Sequence, residues 1–300
     1  MSISIDHLTK RFGKFTAVDD VSIEIPEGSV FGLLGPNGAG KTSTFKCMLG
    51  LAVPTSGEIR FGGKPLRPET FERLAYVPER SALYEWMSAA EHLEMQKRAF
   101  KRYNEKRADE LMQLFSLDAR KRVRTMSKGM RTALSVVLAF ALEPEIMVLD
   151  EPTSGLDPVN QRSVLKLIID ASAQGATIVL SSHQIGQVER AADHIAVLKN
   201  GRIALAGAVD DLKADSKIVE AIFESDAVAL NGLAKDARIT RVEKTGRILR
   251  LTVSAGSDGV AGELASMGAQ SVRIVDLNLE DIFLNAVDGG QTADLVESAS

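Results

Sequence analysis

The segment "GPNGAGKTS" places Gly35 and Gly40 ahead of Lys41 and Thr42, in the spacing G-x-x-x-x-G-K-[ST]. Glycines, here with Gly38 between them, let successive backbone N–H groups turn inward around phosphate oxygens, where a Cβ would obstruct. Lys41 supplies a point charge for β- and γ-phosphates, Thr42 a hydroxyl for Mg²⁺, and the following helix its positive dipole end. Asn37, Ala39 and Ser43 fill out the loop. These residues predict a site for a nucleoside triphosphate.

A second group lies far along the chain, where "EIMVLDEP" is an apolar strand ending in Asp150 and Glu151. Alone it reads as a strand entering a solvated acidic turn. Beside a phosphate loop, Asp150 can complete the Mg²⁺ shell with Thr42, and Glu151 can polarise an attacking water as general base. His183 ends "IVLSSH", at a strand–loop junction of the kind where parallel sheets bind ligands, and is placed to meet a γ-phosphate. A third group is "MSKGM", with Ser127, Lys128, Gly129 and Met130 in front of a long apolar helix. Serine there caps any helix, so its presence alone decides nothing.

To position these residues the chain needs a sheet with helices on its faces. "SVFGLLG" is a short, almost wholly apolar strand of the buried kind, leading straight into the glycine loop. "SISIDHL" and "AVDDVSIEIPEGS" alternate as strands, and "GEIRFGGKPL" resembles a surface hairpin. From Ser88, a capping-box serine, helical charge-rich sequence runs to about Arg124. Strand–helix units follow at "EIMVLD" with Gln161–Gln174 and at "ATIVLSS" with Gln187–Ala192. "HIAVLKNGRIALAG" reads as a hairpin. Apolar strands alternating with helices predict an α/β fold. Past about Ser216 strands begin again, with helices at Gly259–Met267 and Leu279–Ala286. The expected organisation is residues 1–215, including a helical subdomain over about 84–140, then an α+β domain at 216–288 and a frayed tail at 289–300.

The 300 residues suffice for one large and one small core, with 45% apolar and 25% charged residues as in soluble proteins. A net charge of −4 gives no global attraction to nucleic acid or anionic lipid. The lone Cys47 excludes an internal disulfide and fits a reducing compartment. The charged N-terminus argues against export, and no apolar run approaches the ~20 residues that span a bilayer. Basic residues crowd the helical stretch, including Lys97, Arg98, Arg102, Arg107, Arg124 and Arg131. They read first as a solvated face, second as a surface for anionic headgroups or an acidic permease loop, and third as a nucleic-acid surface.

The ordered set "GPNGAGKTS", "MSKGM", "IMVLDEPTSGLDP" and "SSH" resembles the nucleotide-binding subunit of ATP-binding cassette (ABC) transporters, from about Ile3 to Leu212. The resemblance implies a P-loop NTPase core with an antiparallel β subdomain and a helical subdomain. It implies ATP and Mg²⁺ as cofactors, Phe12 stacking on adenine, and Val18 lining the pocket. Glu151 would be catalytic base, His183 the switch histidine, and Ser154, Gly155, Leu156 and Asp157 the loop communicating across a dimer. The family's usual glutamine is Glu79 here, where a carboxylate can still contact Mg²⁺. "MSKGM" replaces "LSGGQ" but keeps Ser127 and Gly129, the two residues that face a partner's phosphate. Lys128 is left to add attraction there or to point to solvent. The "LNLEDIFLNAV" ending resembles cassettes serving ABC-2-type exporters.

The implied protein is an ATPase subunit, peripheral on the cytoplasmic face of a membrane, pairing head to tail and driving a separately encoded permease. The alternatives are a soluble mechanochemical ATPase acting on DNA or ribosomes and a regulatory module without turnover. The single cassette argues against the first. Intact Glu151 and His183 argue against the second.

Overall fold

The structure, a computed structural model, describes residues 1–214, 217–225, 236, 238–254 and 256–288. The expected tail at 289–300 and the expected boundary at 215–216 lie outside them. Two compact units are present, Met1–Ala206 and a second beginning at Gly207.

In the first unit the strands are β1 (Ile3–Phe12), β2 (Phe15–Ile25), β3 (Val30–Leu34), β4 (Ser56–Phe61), β5 (Lys64–Pro65), β6 (Leu74–Val77), β7 (Ile146–Asp150), β8 (Thr177–Ser181), β9 (His194–Lys199) and β10 (Arg202–Ala208). Its helices are α1 (Lys41–Met48), α2 (Pro68–Phe71), α3 (Ala89–Ala99), α4 (Glu105–Leu114), α5 (Lys128–Phe140), α6 (Pro158–Ala173) and α7 (Ile185–Ala191). One sheet has the order β10-β9-β3-β8-β7-β6, and β9, β3, β8, β7 and β6 run parallel. Every residue of β3, β7 and β8 is buried, the pattern of strands covered on both faces. The other sheet, β2-β1-β4-β5, is antiparallel at each pairing. Its inward residues, among them Ile3, Ile5, Val21 and Ile59, share one core with Phe31, Leu33, Phe45 and Val148.

Parallel pairing sets all the loops that leave β3, β8, β7 and β6 at one carboxyl edge. The glycine loop follows β3, His183 follows β8, and Asp150 ends β7 opposite Ser181. Glu79 follows β6.

The helical region differs from a continuous reading of 88–124. After α3 the chain breaks and restarts at Asn104, whose side chain accepts from Arg107 N at 3.0 Å and caps α4. From Phe115 to Ser127 the chain has no α-helix, only turns, loop and one short 3-10 segment, before α5 begins. Helix α6 starts earlier than Gln161 because the Asp157 carboxylate accepts from Val159 N and Asn160 N, and Pro158 occupies the first turn. Much of the basic run is ion-paired: Lys97 with Glu105, Arg98 with Glu94, Arg102 with Glu145, Arg107 with Glu110 and Arg131 with Glu85.

The second unit holds helix α8 (Val209–Ala214), strands β11 (Lys217–Ile222), β12 (Ile239–Thr245), β13 (Ile248–Val253) and β14 (Ser271–Asp276), and helices α9 (Ser257–Ser266) and α10 (Leu279–Asp288). The chain passes to this unit at Gly207, ahead of 215–216, because α8 packs on α10. The sheet order is β12-β13-β11-β14, all antiparallel. Val219, Ala221, Leu249 and Leu251 pack there against Val260 and Leu264 of α9. Glu220, between Val219 and Ala221 in β11 but on the opposite face, is 5% exposed, and its register partners are Arg250 and Arg273. Arg250 Nε at 2.7 Å and Arg273 Nε at 2.8 Å hold its carboxyl below the usual range.

Candidate functional site

A cavity of about 390 Å³ opens at the carboxyl edge, lined by Asn37 to Ser43, Glu79, Asp150, Glu151 and His183. Two glycines are obligatory beneath it. A Cβ on Gly40 would lie 2.4 Å from Ala17 O, and one on Gly35 2.5 Å from Leu198 O, both at positive φ. The loop therefore seats its backbone against neighbouring strands and leaves its inner side open.

Lys41 is 8% exposed, and its Nζ donates to Gly35 O at 2.7 Å and Pro36 O at 3.2 Å. Burial pulls the ammonium below its ordinary pKa, while Glu151, Asp150 and Glu79 oppose that pull. A cation thus stands where a triphosphate would bring further negative charge.

Asp150 is held at both oxygens. Thr42 Oγ1 donates to Oδ2 at 3.1 Å and Ser181 Oγ to Oδ1 at 2.6 Å. Ser181 Oγ also accepts from Glu151 N at 3.2 Å, so one serine joins both acids. A hydroxyl and a carboxylate in contact suit a hard divalent cation that takes its remaining oxygens from phosphates and water.

Glu151 is 6% exposed and has a φ of 54°, a left-handed conformation uncommon for a residue with a side chain. Its Oε2 accepts from His183 N at 3.2 Å, and Oε1 lies 3.2 Å from His183 Nδ1. That second contact is an ion-pair approach; Oε1 has no partner in hydrogen-bond geometry. Burial pushes the carboxyl above the usual range, and His183 opposes it. Tyr76, behind the same acids, is pushed up to about 12 by burial and by Asp150 and Glu79.

Two of the residues expected beside adenine are not in the cavity lining. Val18 is wholly buried and Ala17 lines the cavity in its place. Phe12 does not line the cavity; Phe15, its register partner and 62% exposed, does. Three register shifts in β1, between Ile5 and Leu8, Leu8 and Lys10, and Lys10 and Arg11, break the alternation that strand reading assumes. Lys10 Nζ instead covers the Phe12 ring at 4.8 Å.

Ser127, Lys128, Gly129 and Met130 line no part of this cavity. Ser127 Oγ accepts from Met130 N at 3.2 Å as the cap of α5. This helix start abuts Ser154, Gly155 and Leu156: a Cβ on Gly129 would lie 2.4 Å from Gly155 O. Asp157 closes that loop by capping α6. Sequence reasoning missed Ser181 and Thr153, whose Oγ1 donates to Gln187 Oε1 at 2.7 Å. Their only signal was a hydroxyl at a strand end or in an acidic turn.

Residues 18–154 match the family model described as ABC transporter. The uncharacterized ABC transporter ATP-binding protein YhaQ of Bacillus subtilis (strain 168) is 32% identical, over 95% of this chain and 98% of that protein. The bacitracin transport ATP-binding protein BcrA of Bacillus licheniformis is 31% identical, over 96% and 98% respectively. A solved ATP-binding subunit of an ABC transporter superposes with a TM-score of 0.67 at 34% identity, covering 71% of this chain and 92% of its own.

Proposed function

The chain belongs to the ATP-binding, ATP-hydrolysing subunits of ABC transporters, and from that premise we propose that two copies pair head to tail on ATP and drive a separate permease, as an exporter. One observation carries the pairing: a helix start suited to anions stands outside the cavity around Lys41. Its Ser127 hydroxyl and Gly129 backbone then face the γ-phosphate held by the other copy. The relatives being transporter subunits, the DNA or ribosome reading is set aside.

Within each site Lys41 and the N–H groups of residues 38–43 hold the phosphates, and the Phe15 face meets adenine. Thr42 and Asp150, with Glu79 beside them, hold Mg²⁺, which when bound neutralises charge on the phosphates. Water attacks the γ-phosphorus, the bond to the ADP oxygen breaks, and the water's proton passes to Glu151 Oε1. His183 orients Glu151 through its backbone N–H and turns its ring to the γ-phosphate. Ser154 to Asp157 lie along the shared interface.

This assignment has a pH signature. The base must be ionised, and its pKa is raised by burial, so activity is lost as pH falls through a value above the ordinary carboxylate range. His183 opposes the rise, so His183→Ala should move the acid limb of kcat against pH upward. An unmoved limb would count against the pairing of these two groups.

The permease has a place to dock. A second cavity of about 420 Å³ lies between β6 and the helical region, with Leu83, Tyr84, Met95 and Leu138 on its walls. Tyr84 and Met95 are 45% and 43% exposed, and Gln96 Oε1 is buried without a donor. An apolar permease segment bearing one donor fits this groove. No helix among the described residues is long and apolar enough to cross a membrane; the kinship with transporter ATP-binding subunits supports a place on the cytoplasmic face through this partner. Purified from membranes, the chain should carry a multi-span protein, and Met95→Glu should lose it while retaining ATP binding. Retention by the variant would overturn the docking site, and absence of any such protein from both would overturn the transporter role.

A further inference from the structure

We propose that Lys128 is a positioning residue for hydrolysis that acts inside its own chain, on Ser154, rather than on a phosphate. Its Nζ donates to Ser154 Oγ at 2.8 Å. The same turn of α5 grips this loop twice more. Thr132 Oγ1 donates to Ser154 O at 2.9 Å, and Gly129 lies directly against Gly155. The lysine stem is committed as well: a Cβ on Gly155 would fall 3.0 Å from Lys128 Cγ and 3.1 Å from its Cδ.

The chemistry of the contact has a direction. An ammonium has three donors and no acceptor, so Ser154 Oγ must accept from it. The single serine proton is thereby left for an acceptor other than Lys128. Ser154 is also tied to the acid, because Ser154 N donates to Glu151 O at 3.0 Å. A shift of α5 is therefore passed through Lys128 and Ser154 to the backbone that holds Glu151 in its left-handed conformation. The glycine of the commoner "LSGGQ" spelling offers no such donor. The contact is exposed in the single chain, so it adds little to fold stability. Its effect appears when the loop must be placed against a second copy.

This inference rests on Glu151 as base and on the head-to-tail pair. It is tested with the full chain by steady-state ATPase assays on Lys128→Met, Lys128→Arg, Ser154→Ala and the double variant Lys128→Met/Ser154→Ala. Lys128→Met should lower kcat about tenfold, the size of one charged hydrogen bond, with KM for ATP and melting temperature unchanged. Lys128→Arg should restore most of the rate, Ser154→Ala should match the loss, and the double variant should be no worse than either. A wild-type kcat for Lys128→Met, a loss confined to KM, absence of rescue by arginine, or multiplied losses in the double variant would each overturn it. Failure of the underlying reading shows separately, as continued turnover by Glu151→Gln.

Discussion

Glu151→Gln lowers kcat by about 10²- to 10⁴-fold, the range a positioned general base supplies, and leaves an ATP-bound pair that no longer comes apart. Glutamine has the shape of glutamate and keeps an oxygen to accept from His183 N, which is 3.2 Å from Oε2 in the native chain. It cannot take a proton from water. The fold should not suffer. Burial raises the Glu151 carboxyl, so the folded chain already prefers that group neutral, and removing the charge relieves a penalty. The melting temperature is therefore expected to hold or rise. ATP should also bind more tightly, because one of the acids facing the γ-phosphate becomes neutral while Asp150 and Glu79 remain. The checks are single-turnover hydrolysis and sedimentation with ATP against ADP. A monomer in ATP with normal turnover would falsify the base assignment.

Lys41→Ala is the second large effect, and it falls on binding rather than on turnover. Nothing else described in the cavity lining is cationic except His183 when protonated, whereas three carboxylates face it. Loss of the ammonium removes a charge-assisted contact of about 2–3 kcal/mol and leaves acids opposing phosphates, about 10²-fold or more in Kd. It also removes the donor that spans Gly35 O and Pro36 O, so the loop loses an internal tie. Lys41→Arg should recover little, since a planar fork does not fit a seat shaped around a point charge. Titration calorimetry with ATP and Mg²⁺ reads the difference directly. Native affinity in Lys41→Ala would place the nucleotide elsewhere.

Much of this site could be read from residue order alone. Short strands that are mostly apolar with no alternation, "VFGLL", "IMVLD" and "TIVLS", are buried on both faces, and parallel pairing then gathers their trailing loops at one edge. Gly40, Lys41, Asp150, Glu151 and His183 are legible because each stands at the end of such a strand. What escaped reading depends on contacts between distant segments or on local breaks of period. That Phe15 and Ala17 line the cavity had no signal either, because β1 shifts register three times and breaks the alternation along the strand pair. The helix break at Asn104 follows from one side-chain cap inside an otherwise helical composition. Ser181, joining two acids from the neighbouring strand, has no local signature. Lys128 looked free for a phosphate or for solvent, and only tertiary packing assigns it to Ser154.

The carboxylate of Glu220 has a consequence for how the second unit assembles. Strand β11 lies between two antiparallel neighbours, and antiparallel strands of mixed composition can mispair by a residue. Side chains alternate faces, so a slip of one position would turn Glu220 toward Leu249, Leu251 and the α9 side chains and leave Arg250 and Arg273 unmatched. An unpaired charge in that setting is disfavoured by several kcal/mol. Three ionic side chains on three adjacent strands therefore act as a proofreading key: one alignment of the sheet satisfies them, and its nearest competitors are rejected.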